Sequence, residues 1–166
     1  MISIRTNPGN FTELGVTLGQ IQNALNTHAA GGLYLTSLQT LVIGAAAWTK
    51  INLTMAATGS SMGMVTVPAS QQVVVPSAGL YLLWISGAVA CATAPEAASI
   101  GVARNHTVLE YQVTGRVALT DVGRRTLSAL GLVTLAAKDV LEPYAYSDGG
   151  GDLSFYYLQF GALRVG

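Results

Sequence analysis

The stretch Gln72–Ala92, QVVVPSAGLYLLWISGAVACA, carries no charge, and the charge-free window around it runs from Ile51 to Pro95. A membrane-spanning helix needs about 20 apolar residues in a row, so length alone admits one. The local chemistry points instead to a pair of buried strands. Val73, Val74 and Val75 are β-branched, Pro76-Ser-Ala-Gly79 reads as a turn, and Leu80 to Val89 is rich in aliphatic and aromatic residues. Pro76 and Gly79 would fall inside the proposed helix, where both are poor formers. Nor does a cluster of Lys or Arg mark a cytoplasmic flank. The expectation is buried sheet, with no membrane span.

A sheet this apolar raises the question of what covers the rest of the molecule. The chain has 166 residues, the length of one domain, and only 10% are charged, against about 25% in ordinary soluble domains. Hydrophobic residues make up 51%. With so few charges to solvate a monomer, either much of the surface is buried against other subunits or the chain is unusually prone to associate. Net charge is zero, and basic residues occur singly except at Arg124-Arg125. No basic stripe is available for nucleic acid, so none is expected as a partner. Cys91 is the lone cysteine, which excludes an intrachain disulfide and is expected to be a small buried residue.

The N-terminus, MISIRTNPGNFTELG, has no apolar h-region or cleavage motif, so no signal peptide is expected. Residues 1–16 read as an extended arm with a turn at Asn7-Pro-Gly-Asn10. Thr17 and Gln20 have capping-box spacing, and Leu18, Ile21 and Leu25 then share one helical face up to His28-Ala-Ala-Gly31-Gly32. A helix of about three turns is marginal alone. It packs either in a seam with symmetry mates or on its own domain, and Leu18, Ile21 and Leu25 are the candidate anchoring residues. Residues 33–47 fit strand or helix.

From Trp48 the period becomes two. Ile51, Leu53 and Met55 alternate with Lys50, Asn52 and Thr54 in a half-buried strand. Met64–Val67, Gln72–Val75 and Leu80–Val89 follow as strands. Ser99–Arg104 and Thr107–Val113 flank Asn105-His106, a two-residue hairpin turn. Val117–Thr120 is a short strand, and Thr126–Leu135 and Val140–Ser147 flank Ala136–Asp139. After the loop Ser147-Asp-Gly-Gly-Gly-Asp152 comes a long last strand, Leu153–Val165. Short strands separated by turns predict an all-β sandwich. The expected division is 1–47, an N-terminal arm with one helix for anchoring or trimerisation, and 48–166, the head.

Five pieces in this order resemble the globular head of complement's first component and the tumour-necrosis-factor superfamily. They are Trp48-Thr-Lys-Ile51 as first strand and Val75-Pro-Ser-Ala-Gly79-Leu-Tyr81 as entry to a core strand. Ile100-Gly-Val-Ala-Arg-Asn105 is a strand ending in an Asn turn. Thr126-Leu-Ser-Ala-Leu130 through Lys138-Asp139-Val140 carries Lys138 where the family has Gly. Phe160-Gly161-Ala-Leu163 is the closing strand, one residue shorter than the family's. The resemblance implies a trimeric jelly roll and makes Tyr81, Phe155, Tyr157 and Phe160 candidates for the trimer interface. Strict alternation puts Phe155, Tyr157 and Gln159 on one face and Tyr156, Leu158 and Phe160 on the other.

Chemistry is sparse. His28 and His106 share no local motif with each other or with Cys91, so neither a triad nor a metal site of Cys/His type is expected. Asp148 and Asp152 bracket three glycines, too few acids for the six to eight oxygens of Ca²⁺. No phosphate-binding glycine motif follows a strand. The expected protein is therefore not an enzyme and carries no cofactor. The function that fits is a trimeric bacteriophage virion surface protein: a capsid decoration, minor tail or short fibre protein. Its expected partners are itself, the major capsid or tail proteins and a host surface glycan, with assembly in the host cytoplasm. The alternative is an extracellular recognition head binding a receptor or glycan.

Overall fold

Among the described residues, thirteen strands fold into two antiparallel sheets that face each other across one core. The computed structural model describes residues 29–44, 46–58, 62–91, 96–109, 112–119 and 123–166. The strands are β1 (Ala30–Leu35), β2 (Gln39–Ile43), β3 (Thr49–Lys50), β4 (Met55–Ala57), β5 (Val65–Val67), β6 (Gln72–Val74) and β7 (Gly79–Cys91). They continue with β8 (Glu96–Arg104), β9 (Thr107–Val108), β10 (Thr114–Leu119), β11 (Arg125–Leu135), β12 (Val140–Ser147) and β13 (Gly151–Arg164). Sheet one runs β11-β7-β13-β1-β4, with β2 also on β13; sheet two runs β10-β8-β12-β6-β5, with β3 on β12 and β9 on β8. Consecutive strands thus alternate between sheets over much of the chain, which is jelly-roll topology.

The stretch that dominates the sequence is β6 and β7. β7 lies between β11 and β13, so both its edges are hydrogen-bonded. Tyr81, Leu83, Ile85 and Val89 point into the sandwich and are fully buried. Tyr81 keeps its hydroxyl satisfied there by donating to the Ser77 carbonyl at 2.8 Å, which closes the Pro76–Gly79 turn. Among the described residues no helix is long and apolar enough to cross a membrane; the helical content there is one 3-10 turn at Pro68–Ser70.

Several elements differ from the sequence expectation. The segment that fitted either strand or helix supplies β1 and β2, both paired with β13 in sheet one. The head's sheet therefore begins at Ala30, before the boundary drawn at Trp48. The helix from Thr17, with Leu18, Ile21 and Leu25, lies outside the described residues. Ile51, Leu53 and Met55 are buried in alternation, but the ladder covers only Thr49–Lys50 and Met55–Ala57. The strand expected over Thr107–Val113 stops at Val108, because Gln112 and Val113 turn back onto the Leu109 carbonyl. The pairing resumes at Thr114 as β10.

The last strand carries the correction that matters most. A β-bulge between Phe155 and Tyr157 shifts its register on β7. One extra residue flips every later side chain to the opposite face. Phe155, Leu158 and Phe160 therefore all point into the core. Tyr157 and Gln159 point out, opposite Ala88 and Ser86.

Candidate functional site

Sheet one has a second face, turned away from the core. In register across β11, β7 and β13, Leu132 stands beside Leu82 and Leu163, and Leu130 beside Trp84 and Gly161. These make two apolar rows. The next row is polar: Ser128, Ser86 and Gln159, continued on β1 by Tyr34. Leu130 is 65% exposed and Leu132 59% exposed, a cost that an isolated sheet has no reason to carry. No charge falls within β7, in β11 after Arg125, or in β13 between Asp152 and Arg164. Tyr157 stands at the edge of this face, 40% exposed, with its hydroxyl 3.4 Å from Ser86 Oγ. Its neighbour Tyr156 is covered by the Arg124 guanidinium, 5.1 Å from the ring centroid, a cation–π contact.

Of the four residues named for an interface, Tyr157 reaches this outer face. Tyr81, Phe155 and Phe160 are inside the sandwich with no exposed surface. The rows that do face outward, Leu82, Trp84, Leu130 and Leu132, were hidden in sequence because both faces of β7 are apolar. Alternation cannot tell an inner row from an outer one when neither is polar.

A second cluster lies on the outer face of sheet two. Glu142 of β12 is completely buried there. Its Oε1 accepts from Lys50 Nζ of β3 at 2.5 Å and from Gln72 Nε2 of β6 at 2.9 Å. Its Oε2 accepts no hydrogen bond among the described residues; His106 Nδ1 lies 2.7 Å away. Burial pushes this carboxyl up, but the hydrogen bonds from Gln72 and Lys50, with the charges of Lys50 and His106, outweigh it. The net effect holds Glu142 below its ordinary value. Burial, and then the Glu142 charge, raises the Tyr144 phenol.

His106 itself sits in the hairpin turn expected from sequence. Asn105 and His106 have φ of 50° and 69°, the pattern of a type I′ turn. Asn105 fastens that turn to β12: its Nδ2 donates to Asp139 Oδ1 at 2.7 Å and its Oδ1 accepts from the Val140 amide at 2.8 Å. At the other end of the sandwich, Asp148 of the glycine loop pairs with Arg116 at 2.5 Å. Asp152 is placed opposite Val42 of β2. Among the described residues no group of three or more His, Cys, Asp or Glu side chains comes together at metal-binding distance. Cys91 is buried at the end of β7.

No protein-family model matches the chain, and no curated protein matches it in sequence. Solved structures do match in fold. The Eiger TNF of S. frugiperda superposes with a TM-score of 0.61 at 11% identity, over 84% of this chain and 93% of that one. Murine APRIL at pH 5.0 gives 0.56 at 11% identity, over 83% and 99%. The globular domain of zebrafish complement 1qA gives 0.56 at 9% identity, over 80% and 94%. The chain therefore has the jelly-roll fold shared by tumour-necrosis-factor and complement heads. The likeness also covers more of it than the residues from Trp48 onward, consistent with β1 and β2 belonging to the sandwich.

Proposed function

We propose that the protein is a non-enzymatic head that works as a homotrimer, three copies packing the outer face of sheet one around a common axis. The observation that carries this reading is the pair of apolar rows, Leu132-Leu82-Leu163 and Leu130-Trp84, set in register on a charge-free face. Burying such a face removes apolar area from water, and an obligate interface resembles a core cut in half. The occupant is a second and third copy of this chain. The low charge of the whole sequence supports self-association, and the fold is shared with heads of the tumour-necrosis-factor type. Sedimentation at micromolar concentration is expected to give three times the 17.2 kDa chain mass; a single-chain mass there overturns the proposal.

The setting we propose is the surface of a bacteriophage virion, where a compact apolar trimer serves as a structural cover, a minor tail part or a short fibre. Its partners there are capsid or tail proteins and, at an exposed end, a host surface glycan. Peptides of this chain in purified phage particles are the expected finding. The alternative, an extracellular recognition head for a receptor or glycan, uses the same trimer. Recovery of the chain only from medium or cell surface would replace the virion setting and leave the trimer standing.

A further inference from the structure

The outer face of sheet one carries a polar row that burial of apolar area does not explain. Ser128, Ser86 and Gln159 stand in register on β11, β7 and β13, and Tyr34 extends the line onto β1. Tyr157 adjoins it, its hydroxyl 3.4 Å from Ser86 Oγ. Tyr34 is 42% exposed and Tyr157 40%, and Ser128 and Gln159 are exposed as well. Among the described residues, the side chains of Tyr34, Ser128 and Gln159 find no hydrogen-bond partner within the chain. Every group in the row, hydroxyl or carboxamide, both donates and accepts. Such groups suit a surface that meets its own copies. Identical charges repel across a symmetry axis, whereas a hydroxyl or an amide pairs with another of its kind.

We infer that this row is the register key of the trimer: hydrogen bonds from Ser128, Ser86, Gln159, Tyr34 and Tyr157 of one copy to the same groups of its neighbours hold the three sheets at one height around the axis. The inference rests on the trimer proposed above and adds what the apolar rows cannot supply. Leu132-Leu82-Leu163 and Leu130-Trp84 are successive apolar rows, and apolar contact is non-directional. A copy displaced by one row, about 7 Å along the strand, still sets leucine or tryptophan against leucine. The polar row opposes that displacement, because it would press Ser86 and Gln159 against Trp84 and Leu130, where their groups lose water and gain no partner. The consequence is closure. A displacement along the axis that repeats from copy to copy never returns to its start, and the chains then add into an open assembly in place of a ring of three.

Sedimentation velocity of the full chain over a concentration series tests the key, with urea midpoints to confirm the fold of each variant. Gln159→Leu combined with Ser86→Ala makes the row apolar. Tyr34→Phe combined with Ser128→Ala removes two hydroxyls without adding bulk, should the first pair disturb folding. Thr134→Val, outside the row, adds apolar surface to the same face of β11. Wild type and Thr134→Val are expected to run as trimers throughout. The first row variant is expected to form species larger than a trimer, in a fraction that rises severalfold across the series, and the second to do so to a smaller extent. Row variants that stay homogeneous trimers overturn the inference and leave the trimer standing. Folded row variants that run as single chains overturn it too, since the row then supplies adhesion and not alignment. Larger species from Thr134→Val as well would trace them to added apolar surface and equally overturn it. Wild type running as single chains removes the trimer itself, and the key with it.

Discussion

Trp84 lies across Gly161. The two residues are paired in register on β7 and β13, and a Cβ placed on Gly161 would stand 2.5 Å from Trp84 Cζ2 and 2.5 Å from the Gly31 carbonyl oxygen. The missing side chain is what lets the indole rest on the outer face of sheet one and lets β1 close against β13. Gly161→Ala is expected to force both apart and to cost about 1–3 kcal/mol, the range for overpacking. Urea unfolding measures the loss. Trp84 fluorescence, compared in Gly161→Ala and in a Trp48→Phe background, reports whether the indole has moved.

Leu130 and Leu132 are exposed where a single chain has no use for them. If three copies cover this face, Leu130→Glu places a charge within the interface, where its desolvation opposes assembly. The expected result is a folded chain with the sedimentation mass of a monomer. A Tyr81→Phe control removes only the internal bond to Ser77 and is expected to keep the trimer while losing about 1 kcal/mol of stability. If Leu130→Glu still sediments as a trimer, this face is not where the copies meet.

How much of this was legible before folding depends on the range of each signal. The turns at Pro76–Gly79, Asn105-His106 and Ala136–Asp139 were readable, because turn chemistry is local. The buried alternation of Ile51, Leu53 and Met55 was readable for the same reason. β1 and β2 were not: their apolar residues, Leu33 and Leu35, then Leu41 and Ile43, form runs too short to separate strand from helix. Their partner β13 is more than a hundred residues away in the chain. The bulge at Phe155/Tyr157 left no trace, since an inserted residue in an aromatic run looks like continued alternation. Its consequence was to assign Phe160 to the wrong side of Tyr156. Glu142 was missed because its partners, Lys50 and Gln72, lie 92 and 70 positions away, and no local pattern joins them.

Lys138 occupies a position with φ of 72°, in the turn where the resembling family carries glycine. A side chain in the left-handed region costs about 1–2 kcal/mol, and glycine avoids that cost at the expense of a looser unfolded chain. The Lys138 amide still donates to the Val75 carbonyl at 2.8 Å, a bond glycine retains. Lys138→Gly is therefore expected to raise stability by roughly 0.5–1 kcal/mol, about 1–4 °C in thermal midpoint for a domain of this size. Differential scanning calorimetry checks the sign; a lower midpoint would show that the lysine side chain earns its place by a contact outside the turn.

Glu142 ties stability to acid. Its folded carboxyl is held below the ordinary glutamate value of 4.5, so the unfolded chain binds the proton more readily than the folded one. The stability it contributes is complete above the unfolded value and is lost as pH falls through the lower folded value. Glu142→Gln removes that dependence and also leaves Lys50 Nζ without its carboxylate partner. At neutral pH the variant is expected to be less stable by about 1–3 kcal/mol, the cost of unmaking hydrogen bonds to a buried charged group. As pH falls below 4.5, the gap between the two proteins should narrow, because the wild type gives up what the variant never had. Urea midpoints for both chains across the acid limb test the sign directly. A gap that stays constant to the end of the acid limb would mean that Glu142 is held in the same protonation state folded and unfolded.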